Sequence, residues 1–111
     1  MSLWGVHVGV AGIVTVLALF ALAPGHRYRG VVVAASGLWA VLPDVHHALV
    51  WFPALQTSWR AFHDSMLANL FWLHHAIDHA DPGDRVVYSL AMWGLFFGVV
   101  ASTELVIRRR R

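Results

Sequence analysis

Residues suited to bind a metal ion are concentrated in one stretch of this chain. Six of its eight histidines and three of its six acidic residues lie within positions 44–79. Imidazole nitrogens and carboxylate oxygens are the usual ligands of a divalent cation such as Zn²⁺. Because ionisable side chains are costly in hydrocarbon, their concentration beside apolar segments indicates a functional site. The pattern therefore predicts a divalent-metal site, with zinc as the favoured ion.

The rest of the chain has the composition of a membrane protein. Hydrophobic residues make up 59% of its 111 residues and charged residues 13%, against about 25% charged in an average soluble domain. Four arginines at positions 108–111 directly follow an apolar segment, which is typical of a cytoplasmic anchor and not of a nucleic-acid surface. We therefore expect membrane lipid as a partner and no nucleic acid. The absence of cysteine excludes a thiolate metal site.

Three segments have the length of a membrane span, about 20 apolar residues. They cover residues 3–23, 30–52 and 86–107, and Pro43 and Asp44 interrupt the second. Residues 57–80 have the composition of an amphipathic helix whose ionisable groups share one face. The sequence predicts an all-α integral membrane protein of one domain, with three transmembrane helices plus one amphipathic interfacial or re-entrant helix.

The basic residues predict the orientation of these spans. With three spans, Arg27, Arg29 and the tail at 108–111 share the cytoplasmic side, which places the N-terminus outside and the C-terminus in the cytoplasm. His7, Asp44 and the amphipathic helix then all lie near the outer face. We expect ligands from separate helices to meet there at one depth. Glycines of the first span and the Gly94-x-x-x-Gly98 motif of the third predict close helix packing.

Spacing suggests which residues hold the metal. Asp44 and His47 lie three residues apart, and His75 and His79 lie four apart, so either pair could present two ligands on one side of a helix. His74 and Asp78 form another such pair. Asp44 could instead cap the turn after the proline, and the later histidines could form the wet face of an interfacial helix. The candidate metal ligands are His7, Asp44, His47, His63, His75 and His79.

Two aspartates are candidates for a catalytic role. A bound divalent cation would lower the pKa of a water molecule and polarise an ester or phosphoester. Asp78, if it is not a ligand, is then a candidate general base. Asp64 is a candidate catalytic carboxylate, or it orients a ligating imidazole.

Three stretches resemble the motifs of a known family. His7 matches a histidine that lies early in the first span of that family's members. Residues 42–47, Leu-Pro-Asp-Val-His-His, match a Leu-Pro-Asp-x-Asp-His motif with His46 in place of the second aspartate. Residues 59–65 resemble a His-Arg-Gly-x-Thr-His-Ser motif, with Trp59, Ala61 and His63-Asp64 as departures. Together they resemble the membrane-bound metal-dependent hydrolases, small multi-span proteins of bacteria and archaea.

This resemblance covers about half of the chain. It implies a divalent-metal site and hydrolysis of ester or phosphoester substrates. Because two histidines of the third motif are replaced, either metal binding has moved to His63, His75 and His79 or the chain is a non-catalytic relative.

Two other functions remain open at this stage. Small three-span anchor subunits of respiratory complexes ligate haem b through an intramembrane histidine, and His47 or His74 could serve in that way beside a quinone. Alternatively, the chain is a non-enzymatic accessory subunit. These alternatives require a larger membrane complex, and a homo-oligomer also remains open.

Overall fold

The protein is described here by a computed structural model, which covers residues 4–111. Every regular element in that range is helical. The α-helices are α1 (Trp4–Leu22), α2 (Arg29–Val41), α3 (Pro53–His63), α4 (His74–Ala80) and α5 (Val86–Arg110). Two 3₁₀ segments, Leu42–Ala48 and Met66–Leu70, follow α2 and α3 respectively. The prediction of an all-α chain is confirmed for the described residues.

Three helical stretches are long and apolar enough to cross a membrane. They are Trp4–Leu22, Arg29–Ala48 and Val86–Arg110, with mean hydropathies of 2.2, 1.2 and 1.8. The second stretch consists of α2 and the 3₁₀ segment that follows it. The change of helix type coincides with Pro43, which has no backbone N–H to continue the α-helical hydrogen-bond pattern. The prediction of three such segments is therefore confirmed.

Helix α1 lies at the centre and packs against both α2 and α5. Its glycines allow α5 to approach closely. A Cβ atom at Gly9 would lie 2.8 Å from the Cβ of Met92, and one at Gly12 would lie 2.7 Å from the ring of Phe96. Both separations are too short for any larger residue without movement of the neighbour, so the small residues of α1 are packing residues, as predicted.

The small-residue motif of α5 does not pack in this way. A Cβ atom at Gly94 or Gly98 would meet no atom within 4 Å among the described residues. The sequence prediction of close packing is therefore wrong for this pair within the described chain. The reason is that the opposite side of α5 faces α1.

The basic residues near α2 and at the end of α5 lie at the same end of the three-helix unit. The Nη1 atom of Arg29 is 2.8 Å from Oε1 of Glu104. The guanidinium of Arg110 lies 5.7 Å from the ring centre of Phe20. Helix α2 therefore runs antiparallel to α1 and α5, which is the arrangement that three successive spans require.

The region expected to form one amphipathic helix is divided into three short helices. Ser65, two residues after the end of α3, leaves the helical region with φ −91° and ψ 159°. Its hydroxyl donates to the Phe62 carbonyl over 2.6 Å, and the Asn69 side chain accepts from the backbone N–H of Ala76 over 3.0 Å. Such side-chain bonds give the backbone an alternative to helical hydrogen bonds. A single-helix projection of residues 57–80 therefore misplaces the later histidines relative to His63.

The turn before α4 is strained. Trp72 and Leu73 have φ values of 54° and 56°. This left-handed region costs an L-residue with a side chain roughly 1–2 kcal/mol. The two residues lie directly before α4, which contacts α1 through the stacked rings of His74 and His7.

Candidate metal centre

Five buried histidine and aspartate side chains meet at the end of the three-helix unit opposite the arginines. They come from α1, the 3₁₀ segment after α2, the last residue of α3, and α4. None is more than 8% exposed. We call them the His/Asp cluster, and they are His7, Asp44, His63, His74 and Asp78.

Asp44 stands between two imidazoles. Its Oδ1 atom is 3.3 Å from Nε2 of His63 and 3.2 Å from Nε2 of His74. Four donors placed tetrahedrally about 2.0–2.2 Å from a zinc ion would lie roughly 3.3–3.6 Å from one another. The donor atoms of these three residues all lie within 4.8 Å of each other, so together they could hold a metal ion.

These close approaches are not ordinary hydrogen bonds. Within the described chain, both carboxylate oxygens of Asp44 and the Nε2 atoms of His63 and His74 are buried without a hydrogen-bond partner. Buried polar atoms in proteins are nearly always paired, and an exception needs an explanation. A cation shared by these atoms would provide one.

Asp78 lies at the edge of this triad and connects it to α1. Its Oδ2 atom is 3.2 Å from Nε2 of His63 and 3.8 Å from Nε2 of His74. Its Oδ1 atom is hydrogen-bonded to Nε2 of His7 at 3.0 Å. His7, His74 and Asp78 form a second group whose donor atoms could hold an ion.

Hydrogen bonds from the far side of two rings aim their Nε2 atoms into the cluster. The Nδ1 atom of His74 lies 2.9 Å from the carbonyl oxygen of Ala40, to which it can only donate. The Nδ1 atom of His63 lies 2.9 Å from Oδ1 of Asp64 and donates to that carboxylate. With the proton on Nδ1, Nε2 carries the lone pair that a metal needs. Bonds of this kind fix the tautomer and orientation of ligating histidines.

Asp64 therefore lies outside the cluster, behind His63. Its side chain is 68% exposed, while that of His63 is 5% exposed. This arrangement agrees with the alternative that the sequence left open, in which Asp64 orients an imidazole.

The carboxylates also affect protonation of His74. Burial lowers the pKa of this imidazole, but the close approach and charge of Asp44, the Ala40 carbonyl and the charge of Asp78 outweigh burial. The net result is a pKa raised above the ordinary value of 6.5. The two carboxylates therefore favour a positive charge at His74, whether a bound proton or a metal ion supplies it.

Helix α3 holds the 3₁₀ segment in place. The indole N–H of Trp59 donates to the Leu42 carbonyl over 3.0 Å, and the Gln56 amide donates to the His46 carbonyl over 3.1 Å. Both bonds flank Asp44 in sequence. They therefore fix the position of its carboxylate relative to His63 at the end of the same helix.

No family model matches this chain, and no curated protein or solved structure matches it. The likeness to membrane-bound metal-dependent hydrolases thus rests on the motif residues alone. Three of these residues, His7, Asp44 and His63, lie in the His/Asp cluster.

The structure does not bring His47 into the cluster. His47 is exposed, and its ring lies against that of His46 with 4.0 Å between the ring centres. His46 takes the buried side of the 3₁₀ segment instead, where Nδ1 donates to the Pro43 carbonyl over 3.1 Å. The expected pairing of Asp44 with a histidine one α-helical turn later is therefore absent from the described structure.

His75 and His79 also lie outside the cluster. Their Nε2 atoms are 3.1 Å apart on the outer side of α4, while the buried side presents His74 and Asp78. Both pairs have the same spacing of four residues, and they differ in direction by about 100° around the helix. Spacing alone could not decide which pair faces α1, and the contacts of α4 decide it.

Proposed function

We propose that this chain is an integral membrane protein that binds one divalent cation, with zinc as the first choice, in the His/Asp cluster. We further propose that the cation serves the hydrolysis of an ester or phosphoester. The observation that carries this proposal is the set of buried, inward-facing donor atoms of Asp44, His63 and His74 that have no hydrogen-bond partner among the described residues.

Charge balance supports a cation. With neutral imidazoles, Asp44 and Asp78 would leave two negative charges in a buried site. Uncompensated buried charge is strongly unfavourable, and one divalent ion would neutralise both carboxylates. Protonated histidines would supply part of this compensation in the metal-free protein, since the carboxylates raise the pKa of His74. A divalent ion would replace those protons.

The donor set favours a small ion over haem. Three imidazoles and two carboxylates suit zinc and neighbouring transition metals. A haem would need a flat apolar cavity beside an imidazole. The ring of His74 is instead stacked 3.9 Å from that of His7, and the cavity of about 680 Å³ between the long helices has no histidine in its lining.

The arrangement also supports a division of roles in hydrolysis. Catalytic zinc sites commonly use three protein ligands and leave a position for water. Asp44, His63 and His74 would supply the ligands. Asp78, the most exposed member of the cluster at 8%, would accept a proton from water beside that triad. His7 holds the other oxygen of Asp78 and so positions this carboxylate.

A structural role for the cation is the second candidate. All five cluster residues are buried, and structural metal sites are closed to solvent. In that case the ion would join the short helices to α1, and the protein would act as a non-enzymatic accessory subunit.

Metal analysis of the purified full chain tests the proposal. We expect about one zinc ion per chain after loading, and less than about 0.1 per chain in Asp44→Asn, because a lost carboxylate leaves both the charge and the ligand set incomplete. His79→Ala is the matched control and should keep its zinc. Wild-type protein that fails to bind zinc, or an Asp44→Asn variant that binds it normally, would refute the site.

Activity separates the two candidates. Asp78→Asn should retain the zinc but lose at least about 100-fold in hydrolysis of a p-nitrophenyl ester, the usual minimum for removing a general base. Normal zinc content without any hydrolysis in the wild type would favour the structural role.

A further inference from the structure

An apolar groove runs along α1 between the two helices that flank it. Helices α2 and α5 both pack on α1 and leave a cavity of about 680 Å³ between them. Its walls are apolar side chains such as Val33, Phe96 and Val100. Gly30 widens it, since a Cβ atom there would meet nothing within 4 Å. In a bilayer such a groove lies beside lipid tails.

The groove has the length of one lipid leaflet. Its α1 wall extends from Val8 to Leu19, which at 1.5 Å per residue is about 16 Å. A bilayer has a hydrocarbon core of about 30 Å, so the acyl chains of one leaflet span roughly 15 Å.

The groove is too short for a membrane-spanning helix. It is about 16 Å long, and the ion pair of Arg29 and Glu104 closes one end. A helix that crosses the hydrocarbon core needs about 30 Å. A flexible hydrocarbon chain is therefore a better occupant than a helix from a second copy of this protein.

The two ends of the groove differ. At one end, the ion pair of Arg29 and Glu104 contributes to the lining and closes the space between α2 and α5. At the other end the lining includes Val8 and Val41. Val8 directly follows His7 of the His/Asp cluster, and Val41 directly follows Ala40, whose carbonyl binds His74. This end of the groove therefore lies at about the same depth along α1 as the cluster, although no cluster residue belongs to its lining.

From this shared depth we propose that the groove holds the acyl chain of an amphiphilic substrate, whose ester or phosphoester group lies at the His/Asp cluster. The inference rests on the proposed hydrolase and specifies its substrate class as a long-chain membrane lipid or lipid-like ester. Hydrolysis would form a bond from the water oxygen to the carbonyl carbon or phosphorus. The bond to the alcohol oxygen would break, and the alcohol would leave with a proton.

Chain-length selectivity tests the inference in the purified full chain. The measured quantity is kcat/KM for a 12-carbon p-nitrophenyl ester divided by that for a 4-carbon ester. Ala34→Leu places a larger side chain in the groove lining, and we expect this ratio to fall at least about fivefold because the longer chain loses its apolar contacts. Ala101→Leu makes the same change on the exposed side of α5, outside the lining, and should leave the ratio unchanged. An equal ratio in both variants would refute acyl-chain binding.

A second measurement does not depend on activity. The protein is placed in phosphatidylcholine vesicles that contain a phosphatidylcholine with a diazirine in its acyl chain, and is then irradiated. We expect adducts to concentrate on Val33, Phe96 and Val100, and to decrease in Ala34→Leu but not in Ala101→Leu. Adducts spread evenly over all apolar faces, or crosslinks between two protein chains, would refute the groove as an acyl-chain site.

These readouts keep the two proposals separate. Failure to bind zinc or to hydrolyse either ester would refute the proposed hydrolase while the photolabelling result still decides whether lipid occupies the groove. Hydrolysis without dependence on the groove variants would leave the hydrolase intact and refute the substrate class.

Discussion

Asp78 links His7 and His63 through its two different carboxylate oxygens, with Oδ1 3.0 Å from Nε2 of His7 and Oδ2 3.2 Å from Nε2 of His63. These histidines lie 56 residues apart in sequence and belong to α1 and α3. A single side chain of the short helix α4 thereby connects the first long apolar helix with the short helices at its end. Asp78→Asn keeps the size of this side chain, which is why that variant tests proton transfer while preserving the arrangement of the cluster.

Two adjacent histidines should behave differently when replaced. We expect His74→Ala to lower zinc affinity by at least about 100-fold, because one of the three proposed ligands is lost. His75→Ala should leave affinity within about twofold, since His75 lies on the outer side of α4. Competition with a chelator of known affinity measures both. A larger loss of zinc affinity in His75→Ala than in His74→Ala would show that α4 presents its other face to the ion.

Asp64 should tune the site without being part of it. Asp64→Asn keeps the size of the side chain but removes the negative charge of the carboxylate that accepts a hydrogen bond from Nδ1 of His63. Loss of such a supporting bond typically lowers metal affinity by about 10–100-fold. The same chelator competition measures this, with exposed Asp84→Asn as the control. An unaltered affinity in Asp64→Asn would mean that His63 is oriented by its packing alone.

Zinc binding should weaken as the pH falls. The raised pKa of His74 keeps its imidazole protonated to a higher pH than an ordinary histidine of pKa 6.5. Since a protonated nitrogen cannot ligate, the loss of affinity on acidification should already begin above that pH, and zinc binding there should release protons. Calorimetry in buffers of different ionisation enthalpy measures the proton release.

The folding stability of the metal-free protein should change with pH in the opposite direction to zinc affinity, and should decrease as the pH rises. A pKa raised in the folded state means that protonated His74 stabilises the fold at pH values below its unfolded pKa. This contribution is lost as the pH rises through the raised folded pKa. Thermal unfolding of zinc-free protein should therefore show decreasing stability over that window. An increase in stability instead would show that the carboxylates do not stabilise protonated His74.

The glycines of α1 and α5 provide a matched test of the packing. Gly9→Leu would force a side chain against Met92, and overpacking of this kind typically costs about 1–3 kcal/mol. Gly94→Leu enters open space and should change stability by less than about 0.5 kcal/mol. Unfolding monitored in one detergent compares the two. Equal losses of stability in the two variants would indicate that α5 packs against α1 through a different face.

The orientation in the membrane can be tested directly because the chain has no cysteine. A single cysteine at His26 or Arg111 should react with an impermeant reagent only from the cytoplasmic side, since both positions lie at the basic end. A cysteine at His79 should react only from outside. Labelling of His26→Cys and Arg111→Cys from opposite sides would refute three spans.

Much of the fold could be predicted from the sequence because it follows from composition. The lengths of the apolar segments determine the three candidate spans, and the positions of the arginines predict that Arg29 and the C-terminal tail share one end. Both features depend on the solvent preferences of side chains, which a sequence displays directly. The breaks after His63 and before His74 do not follow from composition, because they depend on side-chain bonds of Ser65 and Asn69 to the backbone.

The candidate site was predictable only in part for a related reason. His7, Asp44 and His63 could be selected because the predicted topology brings their segments to one level. The choice between His74 and His75 requires the rotation of α4 about its axis. That rotation is set by the left-handed turn at Trp72 and Leu73, and the residue types there do not indicate such a turn.

The same turn has a consequence for how the protein would respond to loss of its ion. Two consecutive residues in an unfavourable backbone region persist only while surrounding contacts hold them, and His74, the next residue, makes contacts with both carboxylates of the cluster. If a cation secures those contacts, its removal should release α4 first and expose the chain near Trp72 to proteases, while the long helices stay intact. Metal depletion would then appear as a local nick and not as global unfolding.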